Sequence, residues 1–321
     1  MVRNQFTKAM VKDMYAWFFE KYDLEPLKHE KFLGHKDSTA AYEQSTSAVG
    51  LGELDEVAEM EEIPADNLAE GYTTYGKNRK FAKRIEMSQE LIEDHQKVKD
   101  LMKTASGGWG SAVNRTLERF YAKFFNYGGY TAGHSVFNHT IPGILTDPQG
   151  ALSYDGTCFF DKTGGTKHAS KGGDTYFNAH ALSLTSANFE TVWNQMTISC
   201  AFNERDEEIA IEPNVLIVPN SLKFTAQRIL ESEKKPGSMD NDTNVLQDIV
   251  ELVTWRYLAT ATSWILGVKG KGLIAQKRRG PKIDFYYDED AEIYKAKISM
   301  RYGCMDQNFR YWASSNLPTS A

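Results

Sequence analysis

Residues 69–87 read AEGYTTYGKNRKFAKRIEM, and this stretch determines the architecture that we predict for the chain. Gly76 and Asn78 tolerate positive φ angles, so the residues around them are typical of a turn. Residues 81–87 then alternate between an apolar and a polar face, as a strand does. The pattern predicts a β-hairpin, which is marginal on its own and would suit an acidic surface. The tip of this hairpin is basic, with Lys77, Arg79, Lys80, Lys83 and Arg84.

A long amphipathic helix is predicted after the hairpin. Ser88 is a good N-cap, and acidic residues follow it in the first turn, where the helix dipole favours them. Apolar residues then recur at helical spacing over residues 91–124. Gly107 and Gly108 each cost about 1 kcal/mol relative to alanine, but the apolar stripe keeps its phase across them. We therefore predict one helix that ends at 128–129, with the two glycines as the place for any kink.

The first 62 residues are predicted to form an extended arm rather than a globular domain. Residues 5–22 have the spacing of an amphipathic helix, residues 36–52 are rich in Ser, Thr, Ala and Gly, and residues 53–66 are acidic without one basic residue. A disordered leader would explain the linker but not the aromatic side chains of the helix, whose surface requires a partner. We expect partner contacts from Phe6, Met10, Met14, Trp17 and Phe18.

Weaker signals place the remaining elements. In chain order they predict loops over 130–182, a helix through Met196 that Thr185 or Ser186 caps, a buried strand over 215–218, a helix from about Ser221, a polar loop over 233–242 and a half-buried strand over 294–302.

No motif in the chain indicates catalysis or a cofactor. The corner at 218–221 has no glycine, and its Pro219 lacks an N–H, so the backbone cannot close on a phosphate. Residues 267–272 are rich in glycine but follow neither the P-loop nor the dinucleotide order, which favours a turn between strands. No serine lies in a GxSxG motif. We therefore predict no catalytic residue, no enzymatic activity and no cofactor.

The histidines do not predict a metal site either. His29 and His35 would lie roughly 120° apart on a helix, whereas zinc-binding helices space their histidines by four residues. His134 and His139 could bind a metal from a loop, but their spacing fixes no third ligand.

A second basic run lies near the C-terminal end, and no acidic residue interrupts it. It favours contact with phosphates or an acidic neighbour. A solvated loop fits the run equally well, because it contains no aromatic residue for base stacking. The candidate contacts are Lys269, Lys271, Lys277, Arg278 and Arg279.

The composition restricts the class of protein. The chain of 321 residues has a net charge of −6 and is 41% hydrophobic, which is ordinary for a soluble protein and does not favour strong binding to nucleic acid. Its three cysteines lie far apart without a CxxC pair, as in proteins of a reducing compartment. No apolar run approaches the roughly 20 residues that cross a bilayer, so we expect no membrane partner.

Several stretches resemble the major capsid proteins of tailed phages with the Hong Kong 97-type fold, and most of all the phage Mu-type major head subunit. Each stretch is degenerate, so their order is the stronger signal, and the first 62 residues match nothing specific. The stretches are 84–94, 158–161, 181–190, 214–232 and 254–267.

The resemblance implies an α+β fold of the Hong Kong 97 type, divided along the chain. It places an N-arm at 1–62, an extended hairpin called the E-loop at 63–87, the spine helix of a peripheral domain at 88–128, a mainly axial domain at 129–265, and strands that return to the peripheral domain at 266–321.

The resemblance also implies a function and partners. Copies of a major capsid protein assemble into pentamers and hexamers of an icosahedral head around double-stranded DNA. Assembly takes place in the host bacterial cytoplasm, and the protein then resides in the virion. A scaffolding protein, a portal, a decoration protein and weakly bound DNA are the expected partners. The basic tip is expected to meet carboxylates on a neighbouring subunit, with residues 53–66 as one candidate.

Three points stay open at this stage. An arm that begins close to Met1 favours a separate scaffolding protein or an uncleaved chain. Lys77, Lys80 or Lys83 could form a covalent cross-link, but no motif selects one, and we predict none. The alternatives in function are an encapsulin-like shell for cargo enzymes and a soluble nucleotide-dependent enzyme.

Overall fold

A computed structural model gives the fold. It describes residues 3–24, 26–49, 52, 54, 56–66, 69–94, 98–129, 153, 157–161, 168–169, 175–234, 243–306 and 308–318. His134, His139, most of the predicted loops at 130–182 and most of the polar loop at 233–242 lie outside these residues.

The described helices and strands follow in chain order. The helices are α1 (Arg3–Leu24), α2 (Gln89–Asp94), α3 (Val98–Asn126), α4 (Ser186–Asn194) and α5 (Lys223–Leu230). The strands are β1 (Gly34–Asp37), β2 (Tyr42–Val49), β3 (Ala69–Lys77), β4 (Arg79–Ser88), β5 (His168–Ala169), β6 (Thr175–Tyr176), β7 (Ala179–His180), β8 (Val215–Val218), β9 (Glu251–Thr254), β10 (Trp264–Gly267), β11 (Leu273–Asp288), β12 (Ile293–Asp306) and β13 (Trp312–Ser315).

A five-stranded sheet with the order β7-β13-β10-β8-β9 is buried on both of its faces. Successive side chains of a strand point to opposite faces. Val215 and Ile217 therefore join the apolar cluster around α3, while Leu216 and Val218 join the cluster around α4 and α5. The predicted buried strand at 215–218 and the helix after its proline corner are confirmed. Thr185 caps α4 by accepting a hydrogen bond from Asn188 N, as predicted.

A four-stranded sheet with the order β1-β11-β12-β4 packs one face on α3. The alternation predicted for 294–302 is confirmed, because Ala296, Ile298 and Met300 face the core. The long helix is confirmed over α3, which runs through both of its adjacent glycines without interruption. Residues 95–97, between α2 and α3, lie outside the described residues.

Helix α1 lies along α3 of its own chain at very short range. A Cβ at Gly110 would lie 2.8 Å from Phe18 O and 2.9 Å from Tyr22 N, so only glycine permits this approach. Ser106 Oγ donates to Met14 O at 2.5 Å, and Asn114 Nδ2 donates to Tyr22 O at 2.8 Å. Ser106, Gly110 and Asn114 of α3 thus form the surface against which α1 packs.

This packing corrects one prediction. Met14 and Phe18 are buried in the core of their own chain, and Trp17 packs against the edge of that core, so they need no partner to cover them. Aromatic content alone could not show that the covering surface lies about ninety residues further along the same chain. The side chains of Phe6 and Met10 lie outside the described residues.

The segment after α1 is fixed by a buried carboxylate on α3. Glu118 accepts hydrogen bonds from the backbone of Lys28 (2.5 Å), from Nδ1 of His29 (3.0 Å) and from the indole of Trp255. Burial acts to raise the pKa of Glu118, but the hydrogen bonds from His29 and Trp255 outweigh it and hold the pKa below its ordinary value. His29 is therefore a structural residue, and no zinc site forms around it within the described residues.

The predicted hairpin of 69–87 is wrong in its pairing. Both strands exist, but β3 pairs with β2 as a separate two-stranded ribbon, whereas β4 pairs with β12 in the four-stranded sheet. Asn78 is the corner between them, where its side chain donates to Ser38 Oγ (2.7 Å) and Ala40 O (2.9 Å). The loop that joins the strands of the ribbon is therefore residues 50–68, the acidic stretch. From here on we call residues 42–77 the arm and residues 52–66 its tip. This arm is a different segment from the N-arm predicted at 1–62.

Candidate interface surfaces

The arm leaves the body as an antiparallel ribbon of β2 and β3. Its register runs from Tyr42 opposite Lys77 at the root to Val49 opposite Ala69 near the tip. Thr46 and Thr73 join the two strands by a side-chain hydrogen bond of 3.0 Å. The root is buried, because Gly76 lies over Gln276 and Met305 of the body, where a Cβ would clash at 2.7–2.8 Å. The arm is thus anchored to the body at its root.

The tip of the arm combines negative charge with exposed apolar side chains. Leu54 is 98% exposed, Ile63 is 81% exposed and Met60 is fully exposed. They lie among exposed carboxylates at positions 56, 59, 61 and 62, and the sequence of the tip contains no lysine or arginine. Large apolar side chains are ordinarily buried on folding, because burial stabilises the folded state by about 25 cal/mol for each Å² of apolar surface. Three exposed apolar side chains within one short acidic segment make the tip a candidate contact surface.

Hydrogen bonds at Asp66 hold the base of the tip to its own chain. Asp66 accepts hydrogen bonds from Arg205 (3.0 Å) and from the backbone N–H of Gly52 (2.7 Å). The second bond closes the base of the tip, and the first ties it to the loop that follows α4. Asp66 is exposed and Arg205 is partly exposed, and ion pairs at the surface contribute about 0–1 kcal/mol. The contact orients the tip without covering its apolar side chains.

The predicted basic tip lies elsewhere, at the root of the arm and along β4. Arg79 is half-buried, with its guanidinium 6.0 Å from the ring centre of Phe120, and burial lowers its pKa from the ordinary value. Lys77 is half-buried at the root. Lys80, Lys83 and Arg84 are exposed, and Arg84 pairs with Glu86 at 2.8 Å.

Strand β4 is an edge strand, and it borders an apolar groove. Within the described residues, no strand pairs with its outer edge. The groove lies between β4 and α3 and has a volume of about 330 Å³. Its walls are apolar, from Phe81, Trp109, Val113 and Met300, and its rim carries Lys80 and Lys83. Neither lysine has an acidic partner among the described residues.

The second basic run lies on β11 and on the turn before it, rather than on a solvated loop. Lys269 pairs with Glu251, and Arg279 donates to Ser299 Oγ at 2.9 Å. Lys271 is exposed, with its ammonium 5.1 Å from the ring centre of Tyr311. Lys277 is exposed and Arg278 half-buried. The turn between β10 and β11 is confirmed, with positive φ at Gly270 and Gly272.

The cross-strand register brings a row of cations together on the sheet face that points away from α3. Lys80 of β4 is opposite Arg301 of β12, which is opposite Arg279 of β11. Residues directly opposite each other share one face. Two of these three cations, Lys80 and Arg279, are predicted contact residues, and Arg301 lies between them.

The sequence pattern did not predict the ribbon of β2 and β3 or the exposed apolar side chains of its tip. The signal was weak but present, since residues 42–49 include the strand-favouring Tyr42, Thr46 and Val49 and contain no proline, which fits an exposed strand. The apolar residues of the tip are isolated among acids, so no period marks them.

Neither a metal-binding cluster nor a membrane-spanning helix is found among the described residues. They contain no cluster of three or more His, Cys, Asp or Glu side chains that could hold a metal ion. No described helix combines the length and the hydropathy that a bilayer crossing needs.

Comparison with known proteins gives one family. The family described as phage capsid protein matches residues 71–312, which is most of the chain. No curated protein matches the chain in sequence.

Solved capsid structures share the fold at low sequence identity. The capsid of Ralstonia phage GP4 is 11% identical, with a TM-score of 0.54 over 90% of each chain. The Mycobacterium phage Patience structure is 11% identical, with a TM-score of 0.52 over 100% of this chain and 90% of that one. The capsid of cyanophage P-SCSP1u is 10% identical, with a TM-score of 0.50 over 89% and 86%.

Proposed function

This chain belongs to the phage capsid protein family, and we propose that it is the major capsid protein of an icosahedral phage head, in which it forms pentamers and hexamers that enclose double-stranded DNA. The observation that carries this proposal is the arm. An anchored ribbon with a tip of exposed apolar side chains is a segment that only another molecule can cover.

A closed shell makes many modest contacts sufficient. When each arm overlaps a neighbour, closure of a ring makes the later contacts intramolecular, so the whole is far tighter than any single pair. A contact between different surfaces of two copies generates rings when the rotation closes. The arm and the body present such unlike surfaces, since the tip is acidic and the exposed face of the four-stranded sheet carries a row of cations.

We assign the parts of the Hong Kong 97-type fold from the strand pairing. We assign the E-loop to the arm at 42–77 instead of the range 63–87 that the sequence suggested, because β4 belongs to the sheet of the body. Helix α3 is the spine helix, and β11 and β12 are the strands that return to the peripheral domain. The five-stranded sheet with α4 and α5 belongs to the axial domain.

The assembly requires partners that act on the shell as a whole. We expect a scaffolding protein, a portal and a decoration protein, assembly in the host bacterial cytoplasm, and residence of the finished protein in the virion. A net charge of −6 suits a wall that holds DNA by weak, non-specific contact. The role is structural, without an enzymatic step. The narrower relation to the phage Mu-type group stays a prediction.

Imaging of the expressed full chain tests this proposal. Negative-stain microscopy, followed by cryo-EM reconstruction, is expected to show closed shells with pentamers at the five-fold vertices and hexamers between them. Purified filled heads are expected to contain double-stranded DNA that nuclease reaches only after disruption. A monodisperse monomer with a saturable small-molecule ligand would contradict the proposal, and shells that hold cargo enzymes instead of DNA would favour an encapsulin-like compartment.

A further inference from the structure

The base of the arm's tip is fastened to a loop in a distant part of the same chain. The carboxylate of Asp66 accepts three hydrogen bonds from the guanidinium of Arg205, at 3.0–3.1 Å, and uses both of its oxygens. The backbone of Gly52 lies against the same loop, since a Cβ there would be 3.2 Å from Arg205 Nη1 and from Glu207 Oε1. A guanidinium and a carboxylate that meet at several atoms fix a direction as well as a distance.

The loop that carries Arg205, residues 203–207, is held in one shape by its own side chains. Asn203 Oδ1 accepts hydrogen bonds from the N–H groups of Arg205 (2.7 Å) and Glu207 (3.0 Å), and Asn203 Nδ2 donates to the Glu207 carboxylate at 2.6 Å. Asp206 has a positive φ of 64°, which a short polar side chain tolerates. Arg205 is therefore presented from a fixed backbone.

Two further contacts anchor this loop to the body. The guanidinium of Arg310, which is 3% exposed, donates to Glu204 at 2.8 Å, and Tyr176 OH donates to Asp206 at 2.8 Å. Breaking a buried ion pair is strongly destabilising. The loop at 203–207 thus moves with the core of the body.

The arm consequently has two attachments to the body. The first is its root, where Gly76 lies against Gln276 and Met305. The second is Asp66, beyond the far end of β3, whose nine residues span roughly 30 Å at about 3.3 Å each. A ribbon of two strands is marginal on its own, so the root alone would let the arm bend. The second attachment fixes the direction in which it lies.

We propose that the contact between Asp66 and Arg205 is a latch that aims the arm before assembly. It binds the arm to the loop at 203–207 of its own chain and leaves the apolar side chains of the tip exposed for a partner. The consequence for assembly rests on the proposed function. A segment that is already oriented loses less conformational freedom on binding, which makes association more favourable.

Distance measurements in the unassembled chain test the latch directly. Pairs of nitroxide spin labels on cysteines replace exposed Glu59 of the tip and exposed Lys223 of α5, and the partly exposed Cys158 is changed to serine in every chain. The distribution of label distances is expected to be broader after Arg205→Gln than before. The matched control Arg256→Gln, which removes an exposed arginine elsewhere on the body, should leave it unchanged. Equal widths with and without Arg205 overturn the latch.

A double-mutant cycle measures the consequence for assembly. Asp66→Asn keeps an oxygen for Gly52 N but removes the charge, and Arg205→Gln removes the partner of that charge. Each variant is expected to slow shell formation, followed by light scattering, roughly fivefold, which is the most that one surface ion pair accounts for. The double variant should be no slower than either single one. Losses that multiply, or unchanged rates, overturn the latch, and faster assembly would show that the contact is a brake, which overturns it too.

The latch and the proposed function fail in distinguishable ways. If the unmodified chain forms shells while the label distances do not respond to Arg205→Gln, the latch is wrong and the proposed function stands. If the unmodified chain forms no closed shell, the proposed function fails, and the spin labels alone decide the latch. The melting temperatures of both variants should match the unmodified chain, because the pair lies at the surface. A large loss would show that Asp66 belongs to the folded core, which also overturns the latch.

Discussion

The five-stranded sheet and the arm differ in what covers their apolar side chains. Every residue of β8 and β10 is buried, because both faces of the sheet are covered by the chain itself. The tip of the arm leaves Leu54, Met60 and Ile63 in water. The body therefore buries its apolar side chains within one chain, whereas we propose that those of the tip are covered by a second copy. Matched substitutions in the two regions can break or sharpen this contrast.

The largest contrast is expected between two glutamates. Glu118→Ala leaves His29, Trp255 and two backbone N–H groups without their acceptor, and breaking a buried network of this kind costs about 3–5 kcal/mol. Glu62→Ala, on the exposed tip, is expected to change the free energy of unfolding by less than about 0.5 kcal/mol. Urea unfolding of the unassembled chain, followed by tryptophan fluorescence, measures both. Equal losses would show that the tip is part of the folded core.

Two leucines give the next contrast. Leu216→Ala removes a fully buried side chain from the sheet and is expected to cost about 2–5 kcal/mol. Leu54→Ala removes an exposed one and is expected to stay within about 0.5 kcal/mol in the unassembled chain. In assembly assays the order is reversed, since Leu54→Ala reduces shell yield without loss of folding. Thermal unfolding combined with particle counts separates the two effects, and a Leu54→Ala chain that assembles normally contradicts the account.

Substitutions at two glycines of α3 test how closely α1 packs against this helix. Gly110→Ala pushes a methyl group against the backbone of α1 and is expected to destabilise the chain by about 1–3 kcal/mol. Gly108→Ala meets nothing within 4 Å and is expected to stabilise it by up to about 1 kcal/mol through helix propensity. Melting temperatures of the two variants should therefore move in opposite directions. Destabilisation by both would indicate a bend in α3 that needs glycine.

The smallest effect concerns acid. Because the folded-state pKa of Glu118 is lowered, its ionised form stabilises the native body at pH above the ordinary carboxylate pKa, and this contribution is lost as the pH falls through the lowered value. Unfolding measured from neutral to acidic pH is expected to show a weaker acid dependence in Glu118→Gln than in the unmodified chain. An identical pH profile for the two would show that another carboxylate accounts for the acid sensitivity.

Local signals predicted most of the body. The apolar run of β8, the proline corner, the Thr185 cap and the alternation of β4 and β12 each follow from a few neighbouring residues. The family resemblance then supplied the overall architecture. These features were readable because burial on a defined face leaves a period in the sequence.

Non-local pairing could not be read in the same way. Strand β3 is adjacent to β4 in sequence but pairs with β2, and nothing in the turn around Asn78 distinguishes a hairpin from a corner. The cover of Phe18 by α3 likewise depends on Gly110, whose role appears only when two distant helices meet. The same holds for the candidate interface. Its basic residues were identified from the sequence, whereas the groove beside Lys80 and Lys83 arises from the packing of β4 against α3.

The measurement that tests the central claim most directly is hydrogen–deuterium exchange before and after assembly. Backbone amides of the arm, residues 42–77, are expected to exchange roughly tenfold or more slowly in shells than in the unassembled chain, while those of β8 are slow in both. Arm amides that are already as protected as β8 in the unassembled chain, with no change on assembly, would contradict the claim that this segment is completed only by another copy.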